Sequence, residues 1–380
     1  MKILYISTSY FNENNSASIR NRAIITGFLR LGHEVYTLSP VSNGSKWTED
    51  IKKEYCLERK DEYFGSSINT NTNLLWKIKK FVSGFMLYDG ARRLLRNLND
   101  FVLSDVVFDL VISSSDSKVS HKIMLELIKK DKISYEKWIQ YWGDPFLLDI
   151  NKTTKLPDLY VKYIEHNILK KADAILYTTP LTLKRQKELF EDVADKMFFI
   201  PTPYDSERIY KENNSESIIL GYFGDYRLND RDILPLAKVV ESFEGKVVMD
   251  VVGNGDTDLS SFKHTYCQSR ISYDELVKHE AVCDVLVCIG NKKSSPQLPG
   301  KIYNYSATNK KILFLYEEYD ENTQYLEGLN RYFLTRNKIE NIYDTIEEIQ
   351  KASDIQYSPV NDFYCEEVVR KVIEIVNEIK

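Results

Sequence analysis

Residues that interrupt regular structure are scarce in this sequence: 15 of its 380 residues are glycine and 10 are proline. This scarcity excludes collagen-like and low-complexity architectures and long flexible linkers. No internal repeat is evident, and no apolar run approaches the roughly 18 residues that span a bilayer. Hydrophobic residues make up 43% of the chain and charged residues 28%, a balance typical of a soluble globular protein. The length predicts two domains, or three.

Cysteine and histidine are also rare, with five residues of each. The cysteines are scattered and odd in number, and no C-x-x-C pair occurs, which indicates reduced thiols in a cytosolic protein. The histidines show no H-x-x-x-H spacing, so we expect no metal site. From the first residues we expect no signal sequence. We therefore expect a cytoplasmic protein, or one that lies on the cytoplasmic face of the membrane.

The net charge of −5 is unevenly distributed. Residues 1–200 contain 30 basic and 25 acidic side chains, a net charge of +5, whereas residues 201–380 contain 21 basic and 31 acidic ones, a net charge of −10. This asymmetry indicates an anionic partner for the first half. The overall negative charge argues against a dedicated nucleic-acid-binding protein.

Hydrophobic periodicity indicates alternating strands and helices. Residues 3–6 have the pattern of a buried strand, residues 7–18 that of a polar loop, residues 20–31 that of a helix, and residues 35–38 that of a second strand. This is a βαβ unit, which implies a parallel sheet. The same alternation continues to residue 200, so the fold class is expected to be α/β.

A second α/β series begins at residue 218. Before it, residues 201–216 contain two prolines and a polar run and have the composition of a linker. We expect an N-terminal domain of residues 1–200 and a C-terminal domain of residues 205–361. The last helix, within residues 362–380, is expected to pack back on the first domain.

Several phosphate-binding and catalytic motifs are missing. No G-x-G-x-x-G follows the first strand, so a dinucleotide cofactor is not expected. The sequence also lacks the G-x-x-x-x-G-K-[ST] loop of P-loop proteins and the G-x-S-x-G elbow of α/β hydrolases. If the protein binds phosphate, backbone amides and basic side chains are the expected ligands.

Four segments carry motifs in a recognisable order. They are the opening strand, loop and helix with its G-H-E-V edge, then W-G-D-P-F, then Y-F-G followed by an arginine, then Q-L-P-G-K-I-Y-N-Y-S-A: residues 3–35, 142–146, 222–231 and 297–307. Together they resemble the retaining glycosyltransferases of family 4, in the branch that builds bacterial surface polysaccharides. The resemblance implies the GT-B fold, in which two Rossmann-like, parallel-sheet domains face each other across a cleft.

The resemblance also implies an activity. The protein would transfer a sugar from a UDP- or GDP-linked donor to a glycan or lipid-linked acceptor during capsule or other surface-polysaccharide synthesis. The transfer would be retaining, independent of metal and without a cofactor. Two alternatives remain open: a sugar-nucleotide epimerase of the same fold, and a non-catalytic binding or scaffold protein with a degenerate site.

One implied donor-binding segment is Pro299, Gly300 and Lys301, at the start of a predicted helix. A helix N-terminus presents unpaired N–H groups and a partial positive charge, which suit a diphosphate. Gly300 allows a close backbone approach, and Lys301 adds a point charge. An ordinary helix cap with a solvated lysine is the alternative.

Arg231 occupies the position at which the family has a basic residue that neutralises the diphosphate leaving group. Most such enzymes also have a basic residue directly after the glycine that corresponds to Gly224. Here that residue is Asp225, so Arg227 is the candidate to replace it. A solvated charged loop is the alternative for both arginines.

The family usually has two glutamates eight positions apart, and the second binds the ribose hydroxyls. Here Pro296 and Asn304 occupy these positions. Asn304 can still hydrogen-bond a diol, unless it is simply a helix-surface residue. Four further residues occur where the family packs the nucleoside, although ordinary turns would explain them equally well: Gly253, Asn254, Ser272 and Tyr273.

In the first domain, the loop after the first strand of such enzymes presents backbone amides to the phosphates, and Ser16 and Ala17 fall there. Arg20 follows at the expected helix start, where it would reach an anionic substrate on the acceptor side or else face solvent. Asp144 follows a strand and would bind the transferred sugar or stabilise an oxocarbenium-like transition state. A plain turn at Asp144 is the alternative.

The most basic segment runs from Leu74 to Leu98. It contains six lysines and arginines and one acid, interleaved with aromatic residues. Such segments suit an anionic membrane surface. The alternative is a core-packed helix with solvated basic side chains.

Overall fold

The computed structural model describes most of the chain. The described residues are 1–9, 15–40, 50–57, 86–115, 117–150, 152, 154–213, 215–291, 295–352 and 355–379, without the side chains of residues 99, 100 and 104. The chain divides into two compact units. The first consists of Met1–Thr178, Thr182–Pro201 and Cys365–Lys380, and the second of Thr179–Leu181 and Thr202–Tyr364.

In the first unit, the described strands form a seven-stranded sheet in the order β3-β2-β1-β4-β5-β6-β7. All neighbouring strands are parallel. The strands are β1 (Lys2–Ser7), β2 (Glu34–Pro40), β3 (Lys53–Leu57), β4 (Leu103–Ser114), β5 (Ile133–Trp142), β6 (Ala174–Tyr177) and β7 (Met197–Phe199). The helices between them are α1 (Ser16–Arg30), a 310 helix (Gly90–Asp100), α2 (Val119–Lys129), α3 (Asp158–Leu169), α4 (Pro180–Leu189) and a second 310 helix (Glu191–Lys196).

Both faces of this sheet are covered. Successive side chains of a strand point to opposite faces, so Tyr5 of β1 packs with Phe28 of α1 on one face. Its neighbour Leu4 packs on the other face with Met124 of α2 and Leu94 of the first 310 helix. This is why the central strands appear in the sequence as continuous apolar runs rather than alternating ones.

The second unit has a six-stranded sheet in the order β10-β9-β8-β11-β12-β13, and its neighbouring strands are also all parallel. The strands are β8 (Ile218–Phe223), β9 (Val247–Val252), β10 (Thr265–Gln268), β11 (Val285–Ile289), β12 (Lys311–Tyr316) and β13 (Phe333–Arg336). The helices are α5 (Leu234–Ser242), α6 (Tyr273–Val282), α7 (Lys301–Tyr305), α8 (Glu321–Gly328), α9 (Ile339–Lys351) and a 310 turn (Asn361–Phe363). Two parallel, doubly wound sheets confirm the predicted α/β class.

The last helix, α10 (Cys365–Glu378), belongs to the first unit, where it packs on α1. The approach is close, because a Cβ at Gly27 would lie 2.5 Å from the carbonyl oxygen of Cys365. Val369 packs in the same core as Phe28. Only glycine, which has no side chain, allows the two helices to approach this closely at position 27.

The structure differs from the sequence prediction at several boundaries. Helix α1 begins at Ser16 rather than Arg20, because the side chain of Asn15 accepts a hydrogen bond from the N–H of Ser18 and caps the helix. The segment predicted as a linker pairs with the second unit, since Tyr204 and Arg208 form β-bridges to Tyr364 and Thr308. Three strands were not predicted: β3, β10 and β13.

No helix in the described part of the chain combines the length and the apolar character needed to cross a membrane.

Candidate functional site

Parallel sheets bind ligands beyond the carboxyl ends of their strands. In the second unit this edge is formed by the residues that follow β8, β9 and β11. Most of the predicted donor-binding residues lie on these connections or at the start of α7. The geometry around Gly224, which directly follows β8, determines how their charges are arranged.

The ammonium group of Lys301 extends across Gly224. A Cβ at position 224 would lie 1.3 Å from the Nζ of Lys301, and the same Nζ lies 5.7 Å from the ring centroid of Tyr222. Burial lowers the pKa of Lys301 to about 8, and the nearby positive charge of Arg231 adds to this effect. The lysine is therefore a poorly solvated cation at the carboxyl end of β8.

Arg231 is fixed in place by an amide side chain. Its Nε and Nη2 both donate to the Oδ1 of Asn291, at 3.0 and 2.7 Å. Asn291 in turn donates from Nδ2 to the carbonyl oxygen of Gln297 at 3.0 Å. Asn291 comes directly after Gly290, which follows the end of β11. It therefore holds the guanidinium of Arg231 at the same sheet edge as Lys301.

Asp225 brings a further cation to this edge. Its carboxylate accepts hydrogen bonds from both Nε and Nη2 of Arg270, the first at 2.9 Å, and from the N–H of Asn254 at 3.2 Å. Partial burial raises the pKa of Asp225, but these hydrogen bonds outweigh burial and hold the pKa below its usual value. Arg270 therefore lies beside the position where the resembled family has a basic residue, and its charge is balanced by Asp225.

Arg270 and Asn291 were not predicted as site residues from the sequence. The available signal for Arg270 was Asp225 itself, because an acidic residue among expected phosphate ligands requires a cationic partner. No comparable signal pointed to Asn291, which becomes a partner of Arg231 only through the fold.

Arg227, the predicted replacement for the missing basic residue, lies on the surface. Its backbone forms a tight turn with Arg231, with N–H to O distances of 3.2 and 2.9 Å in the two directions. Its guanidinium makes no hydrogen bond to a described residue. Backbone hydrogen bonds therefore hold Arg227 beside Arg231, but no described residue holds its guanidinium in one position.

Helix α7 is shorter than predicted, with only five residues from Lys301 to Tyr305. Its N-cap residue is Gly300, which makes no side-chain capping hydrogen bond, and Pro299 precedes it. A helix of less than two turns has a small dipole, so the side chains of the edge dominate its positive charge. Asn304 is half-exposed, and its carbonyl oxygen accepts a hydrogen bond from Arg208 at 2.9 Å.

The residues predicted to pack the nucleoside also have local structural roles. Gly253 is required by close packing, because a Cβ there would lie 2.1 Å from the carbonyl oxygen of Gly224. The hydroxyl of Ser272 caps α6 in a reciprocal capping box with Glu275. Tyr273 is 42% exposed and remains accessible to a ligand.

In the first unit, Ser16 and Ala17 form the first turn of α1 rather than part of a loop, which corrects the prediction for this segment. Ser16 is exposed, whereas Ala17 is buried. The preceding residues 10–14 lie outside the described residues. Only Ser16 of this pair therefore presents its side chain to solvent.

Arg20 is buried, with an exposed fraction of only 5%, so it does not face solvent, and it lies in the second turn of α1 rather than at the helix start. Its Nη2 lies 3.5 Å from the Oγ of Ser114, and its Cζ lies 5.1 Å from the ring centroid of Tyr141. A Cβ at Gly143 would lie 2.3 Å from its Nη1. The guanidinium is thus enclosed at the carboxyl ends of β4 and β5.

Asp144 lies on a segment that is anchored on both sides. The N–H of Gly143 donates to the Oγ of Ser115 at 2.9 Å, and the N–H of Leu147 donates to the Oε2 of Glu165 at 3.0 Å. Burial raises the pKa of Glu165 to about 7. This anchoring holds the half-buried Asp144 at the end of β5.

Part of the basic segment from Leu74 to Leu98 can be described. Residues 74–85, including its three lysines, lie outside the described residues. The remainder includes the first 310 helix, in which Leu94 and Leu98 are buried whereas the three arginines face solvent. The described part is therefore a core-packed helix with one basic face.

Within the described residues, no group of three or more histidine, cysteine, aspartate or glutamate side chains is arranged to hold a metal ion.

The chain is similar in structure to solved glycosyltransferases. No family model matches the chain, and no curated protein matches it. A glycosyltransferase from Rickettsia africae ESF-5 is similar in structure, with a TM-score of 0.57, 13% identity and coverage of 100% of this chain and 98% of that chain. The lipopolysaccharide outer core galactosyltransferase WaaB is similar with a TM-score of 0.59, 11% identity and 99% coverage of both chains.

HepE from Anabaena, solved in complex with UDP and glucose, has a TM-score of 0.57 at 12% identity, with coverage of 100% of this chain and 98% of that chain. Each of these similarities extends over nearly the whole of both chains. At this level of identity they establish architecture. The chain has the GT-B fold that these glycosyltransferases share.

Proposed function

We propose that this protein is a glycosyltransferase that moves a sugar from a nucleotide-diphosphate sugar to an acceptor. The observation that carries the proposal is the pair of cations Lys301 and Arg231 at the carboxyl edge of the second sheet, beside the ion pair of Asp225 and Arg270. The lowered pKa of Lys301, caused first by burial and then by Arg231, indicates that two cations share this edge. A diphosphate group would supply the counter-charge.

The cluster suits the chemistry of the leaving group. When the bond between the sugar C1 and the diphosphate oxygen breaks, negative charge develops on the departing nucleoside diphosphate. Fixed cations aimed at that charge stabilise the transition state without reorganisation. Asn291 holds Arg231 for this role, and Lys301 would add the second positive charge.

The remaining donor contacts are assigned by the same hypothesis. Asn304 would hydrogen-bond the ribose hydroxyls. Tyr273 would stack on the base, with Gly253, Asn254 and Ser272 beside it. HepE has been solved in complex with UDP-glucose, which supports a UDP-linked donor over a GDP-linked one.

In the first unit, Asp144 is proposed to contact the transferred sugar, and Ser16 to approach its phosphates. A carboxylate beside the sugar ring would stabilise an oxocarbenium-like transition state. We propose that the transfer needs no metal, because the proposed phosphate site uses cationic side chains. We also propose that it is retaining, as in the glycosyltransferases of family 4 that the sequence resembles.

The acceptor is proposed to be a glycan or lipid-linked glycan of a bacterial surface polysaccharide, such as a capsule. The enzyme would be cytoplasmic and would meet a lipid-linked acceptor at the inner face of the plasma membrane. The basic segment from Leu74 to Leu98 would contribute to this encounter, because anionic lipids attract basic residues by about 1 kcal/mol each.

The test is release of nucleoside diphosphate from a panel of UDP- and GDP-linked sugars, with and without glycolipid acceptor, in the presence of EDTA. We expect acceptor-dependent release that chelation does not abolish. Arg231→Gln should abolish most of it, whereas Lys263→Gln should not, because Lys263 is an exposed cation on the loop that precedes β10. Absence of release from every donor would contradict the proposal. Sugar interconversion without release would indicate an epimerase.

A further inference from the structure

Arg20 is a buried cation with no counter-ion among the described residues. Only 5% of its surface is exposed, and its Nε is buried without a hydrogen-bond partner. Arg20 makes two polar contacts with neighbouring described side chains. One is a long hydrogen bond of 3.5 Å from its Nη2 to the Oγ of Ser114, and the other is a cation–π contact with Tyr141. No described carboxylate forms an ion pair with it.

The surrounding polar network is satisfied without Arg20. Asn21 accepts hydrogen bonds from the hydroxyls of Tyr5 and Ser114 at 2.8 and 2.7 Å, and it donates to Ser7 at 2.8 Å. Each of these residues therefore has neutral partners. The arrangement does not need a positive charge, and it does not offer a negative one.

The nearby histidine adds no counter-charge. His121 is fully buried, and its Nε2 also lacks a hydrogen-bond partner. Burial lowers the pKa of His121 well below its usual value, and the positive charges of Lys118 and Arg20 lower it further. The side chain is therefore neutral at physiological pH. Lys118, the other cation close by, is already paired with Asp149 at 2.5 Å.

An unpaired buried guanidinium is expensive. Taking such a charge out of water is unfavourable, and arginine cannot lose its proton to avoid this cost. Arg20 also lies at the carboxyl ends of β4 and β5, next to Gly143, where sheets of this class bind ligands. A ligand that carries a negative charge would explain why a buried positive charge is present at this position.

We propose that Arg20 binds an oxyanion group, a carboxylate or a phosphate, carried by the acceptor. This inference rests on the proposed function, in which the donor diphosphate is already matched by Arg231 and Lys301 in the second unit. The planar guanidinium fits carboxylate and phosphate oxygens in pairs. The acceptor class is therefore an anionic one: a uronic-acid-containing glycan or a lipid-linked phosphate.

The test uses the full-length protein and three probes: glucuronate, inorganic phosphate and UDP. Dissociation constants are measured by calorimetry for the wild type and for Arg20→Gln. The matched control is Arg370→Gln, which removes a half-exposed arginine of α10 in the same unit. Glucose serves as the uncharged counterpart of glucuronate.

We expect the wild type to bind glucuronate or phosphate but not glucose. Arg20→Gln should weaken that binding at least about tenfold, the scale of a lost charge-assisted pair, while UDP affinity stays within twofold. Arg370→Gln should change neither. Glucuronate preference would identify a carboxylate acceptor, and phosphate preference a phosphorylated one. Arg20→Lys, which keeps the charge but loses the planar fork, should have an intermediate effect.

Thermal unfolding separates a binding defect from a folding defect. Removing an unpaired buried charge should leave the melting temperature of Arg20→Gln without ligand unchanged or higher. Wild-type protein that binds neither anion, or unchanged anion affinity in Arg20→Gln, would overturn the proposal. A parallel loss of UDP affinity would also overturn it, since Arg20 would then serve the donor. If UDP fails to bind while Arg20-dependent anion binding persists, the donor assignment fails and the oxyanion site stands.

Discussion

The ammonium nitrogen of Lys301 occupies the space that a side chain at Gly224 would need, because a Cβ there would lie 1.3 Å from Nζ. Glycine at this position is therefore a condition for placing the cation at the end of β8. The two residues are 77 positions apart in the sequence. The absence of a side chain at position 224 therefore allows a positive charge at this sheet edge.

Gly224→Ala should displace Lys301 and weaken UDP binding by about tenfold, because one charge-assisted contact to the diphosphate is lost. The measurement is calorimetric titration with UDP, accompanied by thermal unfolding. Gly328→Ala is the matched control, since a Cβ at Gly328 meets no atom within 4 Å. Equal UDP affinity in the Gly224→Ala variant would argue against a phosphate role for Lys301.

Arg231→Ala should lower kcat/KM. The expected loss of transition-state stabilisation is about 2–4 kcal/mol, the range for removing one electrostatic donor. Asn291→Ala should have a smaller effect in the same direction, because Arg231 keeps its charge but loses its fixed orientation. Steady-state kinetics with the best donor would measure both. If Arg231→Ala leaves kcat/KM unchanged, its assignment is wrong, and Arg227 becomes the residue to test.

UDP affinity should depend on pH through Lys301. Burial and Arg231 lower its pKa to about 8 in the free protein, whereas a bound diphosphate favours the charged form and raises the pKa. Binding should therefore take up a proton near pH 8–9, and affinity should fall as the pH rises above 8. Lys301→Arg should remove this dependence, because arginine stays protonated. Titrations in buffers of different ionisation enthalpy count the protons, and a count of zero in the wild type would contradict the assignment.

Glu165 should make the folded protein less stable at neutral pH than at acidic pH. Burial raises its pKa from 4.5 to about 7, so the folded state holds the proton more tightly than the unfolded state. The resulting stability is present below pH 4.5 and is lost as the pH rises to about 7. Glu165→Gln should therefore stabilise the protein at pH 8, on the order of 3 kcal/mol, and change it little at pH 4.5.

Denaturant unfolding at the two pH values measures this difference. Glu188→Gln is the matched control, because Glu188 is an exposed carboxylate on α4. If Glu165→Gln has the same effect at both pH values, Glu165 does not titrate between them, and its charged form is stabilised by the hydrogen bonds from Leu147 and Gln186.

Much of the fold could be predicted from the sequence. Strands β1, β2, β8 and β9 are apolar runs because parallel strands buried on both faces need hydrophobic residues at consecutive positions. Strand β10 was missed because three of its four residues are exposed, so neither alternation nor an apolar run marks it. The helix ends depended on capping contacts, such as the one from Asn15, that shift a boundary by a few residues.

The candidate site was predictable only in part. The sequence alone determined that Arg231 and Lys301 follow strands of the second sheet, because local pattern fixes the order of elements. It did not show that Arg270 pairs with Asp225 or that Asn291 holds Arg231, because those contacts join residues 45 and 60 positions apart.

Arg20 shows the same division most clearly. The sequence placed a basic residue near the start of the first helix, and this was correct. Only the tertiary structure decided that it is buried: once Asn15 caps the helix, Arg20 falls on the same face as Ala17 and Ile24, three and four residues away. That face packs against the sheet, so the guanidinium of Arg20 is buried.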